Sequence, residues 1–163
     1  MTEMFDVRTL FAALRPKPAA SGAFERGLAA ADSGRWEEAL GEFAAAEAVA
    51  TEAGAVAAAA NKRGVMLVAL RRRDEALAAF CDALAADEGC APALVNIGNL
   101  LLEDGHPADA VDYYEAAIRA DERYHVAYRN LGVALKGLGR PAEAVRALRS
   151  AARLENRQRR GPG

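Results

Sequence analysis

The sequence predicts an all-α fold built as an array of helical hairpins, and three observations carry that prediction. Gly64, Gly98 and Gly132 stand 34 residues apart, and each opens the same downstream series of small, apolar and acidic residues. A fixed period of this length marks a stacked repeat, in which each unit buries its apolar face only against its neighbours. Alanine supplies much of the 52% hydrophobic content; it is the best helix former, whereas strand-favouring aromatics are scarce and β-branched residues form no long alternating runs. At 163 residues the chain is long enough for one continuous core.

Taken from the N-terminus, Val7, Leu10, Phe11 and Leu14 fall at i, i+3, i+4 and i+7, the single apolar stripe of a short helix that Pro16 and Pro18 end. So short a helix is marginal in water and needs a surface to pack on. Residues 1–19 therefore read as an amphipathic helix and proline-containing linker that caps the array, occludes its own groove or docks on another copy. Four units follow at 20–56, 57–90, 91–124 and 125–158, the first carrying a three-residue insertion, and a basic Gly-Pro tail occupies 159–163. In each unit an apolar segment runs to a polar turn, seen in Ser33-Gly34, Arg71-Arg72-Arg73, Asp104-Gly105 and Leu138-Gly139, before a second apolar segment begins.

The second helix of each hairpin starts with shared signals. Pro107 and Pro141 sit at first helical positions, where a missing N–H costs nothing. Glu38, Glu75, Asp109 and Glu143 follow in register and complement the positive end of the helix dipole, each by about 0.3–1 kcal/mol. One face then reads small, large, small: Ala39, Ala76, Ala110 and Ala144; Phe43, Phe80, Tyr114 and Leu148; Ala46, Ala83, Ala117 and Ala151. On the first helices Gly27, Gly64, Gly98 and Gly132 share a register. A helical glycine costs about 1 kcal/mol against alanine, so four of them predict close helix approach in return. In the last helix Val145, Leu148 and Ala152 are expected to face inward, with Arg146, Arg149, Arg153 and Arg157 forming a solvated stripe.

The series Leu94, Ile97, Gly98, Leu101, Ala110, Tyr114, Ala117 and its repeat Tyr128, Leu131, Gly132, Leu135, Ala144, Leu148, Ala151 resemble the tetratricopeptide repeat. The chain departs from that pattern at Arg26 and Arg63, positions the family usually keeps apolar, and in lacking the proline common near the end of each unit. The resemblance implies a right-handed α-solenoid of four hairpins, with first helices lining a concave groove that holds a peptide segment or helix of a partner. Carried across, the groove positions are Asn61, Lys62 and Val65; Val95, Asn96, Asn99 and Leu102; Arg129, Asn130, Val133 and Lys136. An asparagine amide both donates and accepts, so it can pair with a peptide backbone whatever the side chains, while Lys62, Arg129 and Lys136 can select an acidic or carboxylate-bearing segment. The basic clamp with which some family members hold the acidic tail of heat-shock proteins is poorly matched: Asn96 fits, but Asn61, Val65, Val126 and Asn130 stand at its flanking positions.

Other functions are argued against by what the sequence carries. His106 and His125 read as surface residues in no metal-ligand or triad pattern, serine occurs only at Ser21, Ser33 and Ser150 outside any nucleophile motif, and no phosphate-binding loop is present, so no enzyme, cofactor or metal is expected. The net charge of −2 offers phosphate no general attraction, and no aromatic interleaves with the C-terminal arginines, which argues against nucleic acid. No run approaches a membrane span, no secretory signal opens the chain, and Cys81 and Cys90 lack a disulfide or zinc spacing, so a cytoplasmic protein with reduced thiols is expected. The functional expectation is a non-catalytic scaffold or adaptor that binds protein in its groove. The competing expectation is a homo-oligomer assembled through the N-terminal helix or the array ends.

Overall fold

The computed structural model describes residues 18–160, which form eight α-helices: α1 Pro18–Asp32, α2 Trp36–Val49, α3 Ala53–Ala69, α4 Arg73–Ala86, α5 Ala91–Glu103, α6 Pro107–Ala120, α7 His125–Gly137 and α8 Pro141–Arg159. The apolar stripe of Val7, Leu10, Phe11 and Leu14 lies outside the described residues. Helices pack as consecutive pairs, α1 on α2, α3 on α4, α5 on α6 and α7 on α8, and each pair's second helix packs on the next pair's first. Along one side α3 touches α5 and α5 touches α7, while successive second helices make no comparable contact. The first-helix side is therefore the inner, more crowded side of the array.

Each hairpin turn ends its first helix in the same way. The N–H of Arg35, Arg72, His106 and Arg140 bonds back five residues to the carbonyl of Ala30, Leu67, Leu101 and Leu135, and the preceding N–H bonds back three. This pair of bonds caps the orphan carbonyls and demands a left-handed residue between them. Gly34, Gly105 and Gly139 supply it at φ 72°, 80° and 71°, but in the second hairpin Arg71 takes that place at φ 63°. For a residue with a Cβ that conformation costs about 1–2 kcal/mol.

The second helices then open on a paired motif that the sequence reading saw only by half. Arg35, Arg72 and Arg140 stand immediately before α2, α4 and α8, and their guanidinium groups clasp Glu38, Glu75 and Glu143 three residues on at 2.6–2.8 Å. These pairs are exposed, so solvent screens them and each contributes little to stability.

Glycine packing follows the expectation closely. A Cβ built on Gly27 would lie 2.8 Å from the Phe43 ring, one on Gly98 2.6 Å from the Tyr114 ring and one on Gly132 2.7 Å from Leu148; at Gly64 it would overlap the Phe80 ring. The alanines on either side of these large residues are buried in every pair, as are Phe43, Phe80 and Tyr114. Leu148 differs: no further hairpin covers it, and it is 39% exposed. Val145 and Ala152 are exposed as well, so the inward orientation expected of these three is corrected; Ala144, Ala147 and Ala151 form the buried face of α8.

The insertion appears where the first and second hairpins join. α3 runs 17 residues against 13 for α5 and α7. At the later junctions Asp87 and Asp121 accept backbone N–H bonds from Gly89 and Arg123, closing tight turns, but Ala50 holds the equivalent place here and has no such oxygen. The chain instead enters an extra turn of α3.

Candidate functional site

The inner surface of α3, α5 and α7 brings the expected groove residues together, but not as free groups. Asn96 Nδ2 donates to Asn61 Oδ1 at 2.9 Å, tying α5 to α3. Asn130 Nδ2 donates to Asn99 Oδ1 at 2.8 Å, tying α7 to α5, and the Tyr114 hydroxyl donates to the same oxygen at 2.8 Å. The reading of these amides as wholly available to a peptide is thus corrected: half of each is spent on the neighbouring helix. Asn96 and Asn130 keep a carbonyl oxygen, and Asn61 and Asn99 keep an NH₂. Asn61 is buried and the other three are half-buried. Because each bond crosses between hairpins, the amides also fix the spacing of the surface they line.

Around this ladder the side chains sort by exposure. Arg129, Val133 and Lys136 stand fully out on α7, with Val133 54% exposed, and Lys62 and Val65 are half-buried on α3. Val95 is not a groove residue: it is buried among Leu94, Tyr114 and Leu131 in the core, and Leu102 packs half-buried against the same cluster. A recess of about 110 Å³ opens between α3 and α5, with Val65, Val68, Asn96, Asn99 and Glu103 among its walls. The sequence did not signal this recess, since its walls come from two hairpins and depend on how these pack.

Electrostatics separate this surface from the rest. α3, α5 and α7 carry Lys62, Arg63, Arg129 and Lys136 against one carboxylate, Glu103. Arg63 is consumed by Glu47 and Asp82, whereas Lys62, Arg129 and Lys136 enter no salt bridge among the described residues. Beneath the surface, burial first and the Glu103 charge second push the Tyr114 hydroxyl up to about 12, so it stays a donor to Asn99 across all ordinary pH.

The remaining chemically capable residues are scattered. His106 is exposed before α6, and His125 opens α7 half-buried with its Nδ1 unbonded, a partial correction to its reading as a surface residue. Cys81 is exposed and Cys90 buried, where desolvation raises its thiol pKa. Among the described residues no three His, Cys, Asp or Glu side chains gather as a metal site, and no helix is long and apolar enough to cross a membrane. Arg146, Arg149, Arg153 and Arg157 lie exposed along α8.

Residues 95–161 match the tetratricopeptide repeat family model, the part of the chain holding the third and fourth glycine registers. That stretch carries tetratricopeptide repeats. Solved structures extend the likeness over the rest of the array: MamA, 22% identical, with 94% of this chain and 89% of that one covered at a TM-score of 0.68; PilF of Pseudomonas aeruginosa, 23% identical, 86% and 63% covered, TM-score 0.75; and YrrB, described as a tetratricopeptide-repeat protein with an unusual peptide-binding site, 21% identical, 86% and 71% covered, TM-score 0.61. At these identities the likeness is one of fold. No curated protein matches the chain. Tetratricopeptide-repeat proteins as a class mediate protein–protein interaction.

Proposed function

We propose that this tetratricopeptide-repeat protein is a non-catalytic cytoplasmic adaptor that holds an acidic segment of a partner protein against α3, α5 and α7. The observation that carries the reading is the charge of that surface: three cations without carboxylate partners, Lys62, Arg129 and Lys136, flank amides that keep hydrogen-bonding groups to spare. An extended segment offers both complements, a backbone for Asn96, Asn99 and Asn130 and carboxylates for the cations. The exposed Val133 supplies an apolar contact between Arg129 and Lys136. YrrB, with its peptide-binding site, supports the reading by fold. The two unpaired cysteines accord with a reducing compartment.

The test is capture of partners from lysate by the native protein and by a variant carrying Arg129→Glu, Val133→Asp and Lys136→Glu, all exposed positions whose change leaves the core intact. A protein retained by the native bait and lost from the variant supports the reading. An unchanged set of captured proteins contradicts it.

A second reading, self-assembly through an array end, is favoured by Leu148, which lies open at the register position where Phe43, Phe80 and Tyr114 are buried in the earlier hairpins, and by the exposed Val145 three residues before it. It predicts a sedimentation mass that rises with concentration and returns to the monomer's when Val145 and Leu148 are made polar.

A further inference from the structure

Among the described residues Arg71 is the one non-glycine with a left-handed backbone, and nothing in its turn accounts for an arginine there. Its sister positions are Gly34, Gly105 and Gly139, yet Arg71 holds the same left-handed conformation at φ 63°. Its sequence neighbours are both engaged: Arg72 with Glu75 and Glu37, and Arg73 with Glu103, Asp104 and the Leu100 carbonyl. The Arg71 side chain is exposed and enters no hydrogen bond or salt bridge among the described residues. Strain kept at one position, with no partner to compensate it, points outward to a ligand.

The surroundings say what kind. Arg71 lines a recess of about 350 Å³ with Val68, Arg73, Leu100 and Glu103. That recess shares Val68, Leu100 and Glu103 with the smaller one beside Asn96 and Asn99, so the two adjoin and Arg71 lies next to the groove. Val68, 39% exposed, is an apolar floor. Glu103 and Asp104 are already bound by Arg73, which leaves the Arg71 guanidinium as the lining cation with unused donors.

We propose that Arg71 is a selectivity residue of the groove, receiving the carboxylate of an aspartate or glutamate that sits next to an apolar side chain seated on Val68 in the bound segment. This rests on the groove reading above and deepens it by naming one subsite. Arginine suits the task because its planar fork grips a carboxylate through two parallel bonds, which a lysine does not.

A library of random 12-residue peptides displayed on phage is selected against the native protein, and the tightest peptide is then measured by fluorescence anisotropy. The selected peptides are expected to share an acidic residue adjacent to an apolar one. Arg71→Gly is expected to weaken binding at least tenfold while melting no lower than the native protein, since glycine relieves the strain; Arg71→Lys is expected to recover only part of the loss. Replacing the peptide's acid by its amide is expected to cost the native protein tenfold and Arg71→Gly nothing further. Equal binding by native and Arg71→Gly proteins, or an equal amide penalty in both, overturns the proposal. If binding survives Arg71→Gly but is lost in the Arg129, Val133 and Lys136 variant, this subsite falls and the groove reading stands. If the native protein selects no peptide, both fall.

Discussion

Arg63 on α3 donates through Nε to Glu47 on α2 at 2.7 Å, so an ion pair crosses the junction between the first two hairpins. At the next two junctions the same register positions hold apolar residues. Ile97 and Leu131 replace the arginine and are buried, and Leu84 and Ile118 replace the glutamate and pack against their clusters. The chain has thus exchanged both members of an apolar contact together. Arg63 also reaches Asp82 at 2.7 Å, and Arg26, in the same register on α1, is answered by Glu42.

The pair predicts strong coupling between the two positions. Arg63 and Glu47 are each only about one-fifth exposed, so removing Arg63 leaves a poorly solvated carboxylate alone and removing Glu47 leaves Arg63 with only the exposed Asp82, whereas removing both restores the apolar pattern of the other junctions. Arg63→Ile or Glu47→Leu alone is expected to lower stability by about 1–3 kcal/mol. The double variant is expected to fall within about 1 kcal/mol of the native protein. Urea denaturation of the four proteins checks the cycle, and additive losses would show that the pair is not a unit.

The glycines predict a graded series rather than a uniform one. At Gly98 even a methyl group meets the fully buried Tyr114 ring, which has no room to withdraw. At Gly132 the obstacle is the half-exposed Leu148, which can turn toward water, although the Ala144 carbonyl at 3.2 Å remains. Gly98→Ala is expected to destabilise by about 1–3 kcal/mol, and Gly132→Ala by visibly less. Denaturation midpoints in the reverse order would contradict the packing described.

Tyr114 predicts a limb in the stability profile at high pH. Its hydroxyl is held up to about 12 in the fold and titrates near 10 when unfolded. Between those values the unfolded chain has lost a proton that the native state keeps. The contribution is therefore fully present below pH 10 and is lost as pH rises toward 12, on the order of 2 kcal/mol. Tyr114→Phe removes this contribution, so the difference between native and variant stability is expected to shrink across that window. A difference that stays constant with pH would mean that the hydroxyl is not held as described.

Much of the architecture was legible because it repeats. The four glycines and the small-large-small face recur in register and map to one packing contact, and three of the four acids at the second helix starts, Glu38, Glu75 and Glu143, meet an arginine three residues earlier. What did not repeat was harder to read. Arg26 and Arg63 broke the pattern, and their partners Glu42 and Glu47 lie on another helix, so no local spacing revealed them. Leu148 matched an inward register, but burial there needs a following hairpin, while Val145 shares its register with Leu77, which is exposed even with a hairpin after it. The groove asparagines were found by register, yet their pairing with one another depends on how closely α3, α5 and α7 approach. Arg71 was visible as one of three arginines in a turn; its left-handed backbone follows from comparing that turn with its three glycine-bearing sisters.

The most direct measurement is an amide chemical-shift map of the ¹⁵N-labelled protein titrated with the tightest peptide from the displayed library. The account predicts that the perturbed amides cluster on the inner side of α3, α5 and α7, around Asn96, Asn99, Asn130, Val133 and Lys136, while α2, α4 and α6 stay unmoved on their outer faces. Shifts centred on those outer faces, or on the arginine stripe of α8, would contradict it.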